Sequence, residues 1–121
     1  MNTHDVAHAF TAMLKDGKFE EAGEAHWADS VVSIEPMDMA GMGPASNGIE
    51  AVRAKGAWWY GAHEIHSIGC EGPFIHGDQF AVRFDMDVTN KATGERGGGV
   101  EIGLYTVKDG KIVEERFFYA M

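Results

Sequence analysis

Apolar residues at Val6, Ala9, Phe10, Met13 and Leu14 recur every three to four positions and so line one side of a helix, which Asp16-Gly17 brings to an end. This spacing predicts a helix from about Asn2 to Lys15. A shorter stripe of the same period, Phe19, Ala22, Gly23, His26 and Trp27, predicts a brief second helix before Asp29-Ser30. Val31-Val32-Ser33-Ile34 is β-branched and predicts a short strand. Pro36 ends it, because proline cannot donate to a ladder and holds the preceding Glu35 extended. Glu35 is therefore expected at the mouth of a strand.

Met37 to Ser46 mixes methionine, glycine and proline without either regular period and predicts a loop, in which Met37, Met39 and Met42 suit either an adaptable lid or a plain connection. Asn47 with Glu50 three residues on resembles a capping box. It opens a third helix whose face carries Ile49, Val52, Gly56, Trp59 and Tyr60, ending near Gly61. The remainder predicts strands at His63–Glu71, Gln79–Thr89, Gly98–Val107 and Lys111–Ala120, with turns at Gly72-Pro73, Asn90–Gly94 and Asp109-Gly110. Phe80, Val82, Phe84, Met86 and Val88 alternate with mainly polar residues, and Val100, Ile102 and Leu104 repeat the pattern. Helices followed by an antiparallel meander predict an α+β domain whose three helices cover one face of the sheet.

The chain has 121 residues, 45% of them hydrophobic, enough for one domain with a packed core. Its 19 acidic against 10 basic residues give a net charge of −9, which repels phosphate backbones and excludes nucleic acid as an expected partner. Cys70 is the single cysteine, so no disulfide forms within the chain. The apolar run at Ala57–Ala62 is far short of the roughly 20 residues of a membrane span, and the first residues show no basic segment followed by an apolar one. A cytoplasmic protein without membrane contact is expected.

Candidate chemistry is sparse. Glu35 is a carboxylate beside a proline, Arg83 and Asp85 share a strand face, and His26 ends an apolar stripe beside Trp27. His63 and His66, three apart on a strand, point to opposite faces and make no metal site. Gly41-Met-Gly43 is followed by Pro44 and lacks a βαβ setting, so no nucleotide cofactor is expected. Trp59 and Tyr60 on the third helix suit either core packing or the wall of a ligand pocket, with Trp58 on their flank.

The element order, together with Phe10…Met13-Leu14…Gly17…Phe19, Trp27-Ala-Asp29-Ser-Val31 leading into Ile34-Glu35-Pro36, Gly48-Ile-Glu-Ala-Val52 and Asp109-Gly-Lys-Ile112, resembles the nuclear transport factor two-like superfamily and its SnoaL-like branch. The resemblance implies a cystatin-like, cone-shaped roll: a curved, mostly antiparallel sheet wrapped around the helices, with an apolar pocket for a small molecule and homodimers formed through the sheet. It also implies a range of functions, from isomerases and cyclases to non-catalytic ligand-binding or dimerising modules.

Against ketosteroid isomerase, the general base falls on Glu35 before Pro36, which implies cofactor-free proton transfer next to a carbonyl. The two oxyanion donors fall on Phe10 and near Gly103, neither of which donates from a side chain. Tyr105, Tyr119 and His26 are the candidate replacements. Arg83-Phe84-Asp85 is similar to part of the epoxide hydrolase arrangement, but the partner acid falls on Phe117 and the water-holding pair near Ser33 and Glu35. The carried-over pocket positions are Phe10, Trp59, Arg83, Asp85, Glu101, Tyr105, Glu115, Phe117 and Tyr119. Hydrophobic patterning instead puts Phe80, Val82, Phe84, Val100, Ile102 and Leu104 inside, and both hold only if a second copy covers an apolar outer face.

Overall fold

A computed structural model describes residues 1–38, 41 and 43–119. Helix α1 (Thr3–Lys15) begins at Asn2, whose Oδ1 accepts from the Asp5 N–H at 2.8 Å while Asp5 accepts from the Asn2 N–H at 3.3 Å. This reciprocal cap satisfies two donors that helix geometry leaves open. Helix α2 (Phe19–His26) runs directly into strand β1 (Trp27–Ile34), which is longer than its β-branched segment foretold because Trp27 already pairs with Ile112 on the last strand.

The segment expected as a loop contains a short strand, β2 (Ala45–Asn47), paired antiparallel to β1. Asn47 lies in it and does not cap a helix. Helix α3 (Ile49–Ala62) instead starts after Gly48, whose φ of 89° turns the chain from sheet to helix while its N–H donates to the Val31 carbonyl. Met39 and Met42, two of the three methionines read as either a lid or a plain connection, fall outside the described residues.

Four strands complete the chain: β3 (His63–His76), β4 (Gln79–Asn90), β5 (Arg96–Lys108) and β6 (Lys111–Phe118). β3 passes through Gly72-Pro73 with a register irregularity, and the chain reverses at Gly77-Asp78 rather than at the expected proline. The sheet order is β2-β1-β6-β5-β4-β3, antiparallel throughout except where β1 lies parallel to β6. α1 packs on β3, β4 and β5 and α3 on β1, β2 and β3, so the helices cover the sheet's inner face. The cystatin-like α+β roll is thus the observed architecture.

Register decides what that face carries. β4 and β5 pair without a break from Gln79↔Thr106 to Thr89↔Arg96, setting Phe80 opposite Tyr105, Val82 opposite Gly103 and Phe84 opposite Glu101. Directly opposed residues point the same way. The β4 apolar row therefore faces in together with Glu101 and Tyr105, whereas Val100, Ile102 and Leu104 face out beside Arg83 and Asp85. Two expectations are corrected: the β5 apolar row is not inside, and Arg83 and Asp85 are not on the concave face.

Val6, Val31, Val52, Val82 and Ile112 form the apolar core with an aromatic group at its centre. Tyr105 stacks on Phe80 at 4.9 Å between centroids and meets Phe10 at 4.9 Å. Its ring lies over Gly103, where an added Cβ would stand 2.8 Å from the Tyr105 hydroxyl. With Tyr105 held between two rings it has nowhere to move. Gly103→Ala is expected to lower the unfolding free energy by about 1–3 kcal/mol, as overpacking does, measured by urea denaturation; an unchanged midpoint would show that the ring can yield.

Candidate functional site

A cavity of about 260 Å³ opens between the helices and the inner face of the sheet. Its walls are apolar and aromatic: Phe10 and Leu14 from α1, Trp58, Trp59 and Tyr60 from α3, Ile68, Phe84, Met86, Tyr105 and Phe117 from the sheet, and Trp27 from β1. All three α3 aromatics line it, the second of the two roles open to Trp59 and Tyr60; only Val52 of that helix is fully buried. Into this wall are set Glu35, Glu101, Glu115 and Lys55, all largely withdrawn from solvent, while the exposed Glu20, Glu24 and Arg53 also border it.

Glu115 is buried and held at both oxygens, by the Trp27 indole N–H at 2.7 Å and the Ser33 hydroxyl at 2.9 Å. Burial raises its pKa, opposed by Lys55 and these two donors. Glu35, at the end of β1, has Oε1 3.4 Å from the Lys55 ammonium, with both side chains about one-sixth exposed. Its Oε2 is buried with no hydrogen bond among the described residues. Burial raises the Glu35 pKa, while Lys55 and the Tyr119 hydroxyl pull it back. Glu101 is pushed up to about 7, first by burial and then by the Glu35 charge. The Tyr119 hydroxyl is held protonated far above its ordinary range by burial and by Glu35 and Glu101. The cavity therefore gathers carboxyls of raised pKa, one of them about half-protonated near pH 7, beside a neutral phenol.

Of the sequence candidates, Glu35, Tyr119, Tyr105, Glu101, Glu115, Phe10, Trp59 and Phe117 all border this cavity. Tyr105 is fully buried and its pKa is driven well up by desolvation. His26 does not belong: it packs edge-on against Phe10 at 6.0 Å, and burial lowers its pKa, leaving a neutral core imidazole outside the cavity wall. Arg83 and Asp85 pair with each other on the outer face at 2.5 Å, more than a third exposed. An epoxide hydrolase arrangement thereby loses its proposed pair.

Sequence reasoning missed Lys55, Ser33 and Trp27. Lys55 sits three residues after Val52 and four before Trp59, a spacing that places it on the inward side of α3; the charge masked that signal. Ser33 was one of four residues in a strand, and its inward direction follows only from its pairing with Glu115.

The chain matches the SnoaL-like domain family over residues 1–119 and belongs to it. A Mesorhizobium loti protein, provisionally named a SnoaL-like polyketide cyclase with carbohydrate phosphatase as a bracketed alternative, is 50% identical; the match covers 98% of this chain and 100% of that one, with a TM-score of 0.93. A Bacillus subtilis protein provisionally named an isomerase is 19% identical over 99% of this chain and 90% of that one, at a TM-score of 0.77. A Xanthomonas campestris protein of unknown function with a cystatin-like fold is 22% identical over 100% and 92%, at 0.76. No functionally curated protein matches.

The raised carboxyl at Glu101 has a consequence for stability. The folded state binds its proton more tightly than the unfolded chain does, so stability is fully present below about pH 4.5 and is lost as pH rises through about 7. Thermal unfolding across this window should show a falling midpoint, and Glu101→Gln should flatten part of the slope. Glu35 and Glu115 are shifted in the same direction and retain the rest. A slope unaltered in Glu101→Gln would show that this carboxyl titrates normally.

Proposed function

We propose that the cavity binds a small, mostly apolar carbonyl compound and that Glu35 moves a proton at the carbon beside the carbonyl without a cofactor. The observation that carries this reading is the Glu35 carboxyl itself. The carboxyl is held by Lys55 and the Tyr119 hydroxyl, and its Oε2 is buried at the wall of an apolar cavity. An acceptor so placed favours taking a proton from a weak carbon acid more than it would in water. The electron pair released goes to the carbonyl oxygen, where Tyr119 and the neutral form of Glu101 supply hydrogen bonds. Returning the proton to another carbon isomerises the substrate, and attack of the carbanion on a second carbonyl cyclises it. The provisional polyketide cyclase name of the Mesorhizobium loti relative falls in this class of chemistry.

The donors absent at Phe10 and Gly103 have a substitute in part. The Tyr105 hydroxyl lies 2.8 Å from where a Cβ on residue 103 would be, so it fills the space of that missing side chain. Phe10 has no such replacement, and this favours a second reading, a pocket that binds its ligand without turning it over.

The outer face carries the partner proposal. Val100 is 44%, Phe118 49% and Phe74 57% exposed, and we assign this apolar surface to a second copy of the chain. Among the described residues no helix is long and apolar enough to cross a membrane. With one cysteine and a charge of −9, a cytoplasmic setting is proposed.

Two experiments test these readings. Exchange of the α-hydrogens of β-tetralone in deuterated buffer, followed by NMR, should rise as Glu35 ionises and fall above about pH 7 as Glu101 loses its proton. Glu35→Gln should slow it on the order of 100-fold or more; exchange unaffected in that variant removes Glu35 as base, while ligand affinity without exchange at any pH establishes the binding module. Sedimentation should show a dimer that Phe118→Glu converts to monomer, and a monomeric wild type sinks the interface.

A further inference from the structure

Lys55 is enclosed where lysines seldom are. Its side chain is 16% exposed, and Nζ lies 5.3 Å from the centre of the Phe117 ring. The ammonium donates to the Ser33 hydroxyl, which in turn donates to Glu115, and it approaches Glu35 Oε1 at 3.4 Å. Arg53, two residues earlier, also borders the cavity but is exposed and committed to Glu24 and Glu50, and Lys55 is the only lysine among the described residues of the wall. The proton-transfer reading uses this amine merely to hold Glu35. A primary amine in an apolar cavity, fixed by hydrogen bonds and touching a carboxylate that can take its proton, has the parts for nucleophilic addition to a carbonyl.

The geometry points to Lys55 as a site of imine formation with an aldehyde or ketone, with Glu35 carrying the one proton the step requires. The carboxylate removes a proton from the ammonium, and the free amine nitrogen adds to the carbonyl carbon. The carbonyl oxygen takes a proton from that nitrogen, giving a neutral carbinolamine. Glu35 then returns its proton to the hydroxyl, the C–O bond breaks, and water leaves. A protonated imine remains, with its positive charge on the former lysine nitrogen. One ammonium, one carboxylate and one carbonyl become one iminium, one carboxylate and one water, so charge and atoms balance and no co-reactant is needed. Glu35 ends ionised beside the iminium, placed to remove a proton from the adjacent carbon. The electron pair then flows into the C=N bond rather than onto oxygen, which offsets the lack of a donor at Phe10.

This inference rests on the reading that the cavity takes carbonyl compounds, yet its readout does not depend on turnover. The 121-residue chain is incubated with β-tetralone and sodium cyanoborohydride, then measured by intact mass and peptide mapping. One reduced adduct per chain is expected, on Lys55, forming about tenfold or more faster than on exposed lysines such as Lys18 because the site holds both reactants together. Lys55→Arg, which keeps the charge and the ion pair, should abolish it. No adduct on Lys55, or one forming no faster than on Lys18, overturns the proposal. Deuterium exchange in the same samples separates the two readings: exchange without trapping removes the imine and leaves Glu35 as base, whereas trapping without exchange keeps the imine and removes carbon acid chemistry. Should the arginine variant fail to fold, the site of modification in the native chain decides the matter alone.

Discussion

Everything about this site depends on the unbroken pairing of β4 with β5. Side chains alternate across a strand, so a shift of one residue would exchange the inner and outer sets completely. The observed register puts Tyr105 over Gly103 and against Phe80 and Phe10. That aromatic group locks β5 to β4 and to the covering helix at one point. With it fixed, Glu101 must look into the cavity and Ile102 must look away.

The cavity that results concentrates ionisable groups in apolar surroundings, which costs folding energy. Carboxylates removed from water either find donors or take up a proton. Glu115 uses the first, with a tryptophan and a serine donating to its oxygens. Glu101 takes the second, with a pKa near 7. Glu35 is drawn both ways, because burial raises its pKa while Lys55 and the Tyr119 hydroxyl lower it. Such an arrangement has no advantage for packing. A leucine at position 35 would fill the same space without the desolvation penalty.

The SnoaL-like fold does not decide this by itself. Relatives of similar shape carry names as different as polyketide cyclase and isomerase, and a scaffold shared at under 25% identity fixes geometry alone. The proposed chemistry rests on a handful of positions on four elements: the tip of β1, the inward side of α3, and the inner faces of β5 and β6. Lys55 links them, since one ammonium touches groups from β1 and hangs over a ring from β6.

Local pattern alone established the helices α1 and α2, the alternation along β4, the Asp109-Gly110 reversal and the placement of Glu35 at a strand end beside Pro36, because each is set by residues within one or two turns or pleats. The element order that these compose carried the family. Tertiary structure decided the rest. Asn47 has the chemistry of a helix cap, yet it pairs with Val32, a partner fifteen positions away in the chain, and Gly48 turns the corner in its place. Val100, Ile102 and Leu104 have the pattern of a core row and lie outside, since period tells that two faces differ without telling which one the helices will cover. Arg83 and Asp85 went outward by the same pairing, and His26 became a core residue because Phe10 packs across it. Lys55 reads as a surface charge until α3 is laid on β1. Periodicity is a property of one element, whereas the direction of a face is a property of two elements in contact.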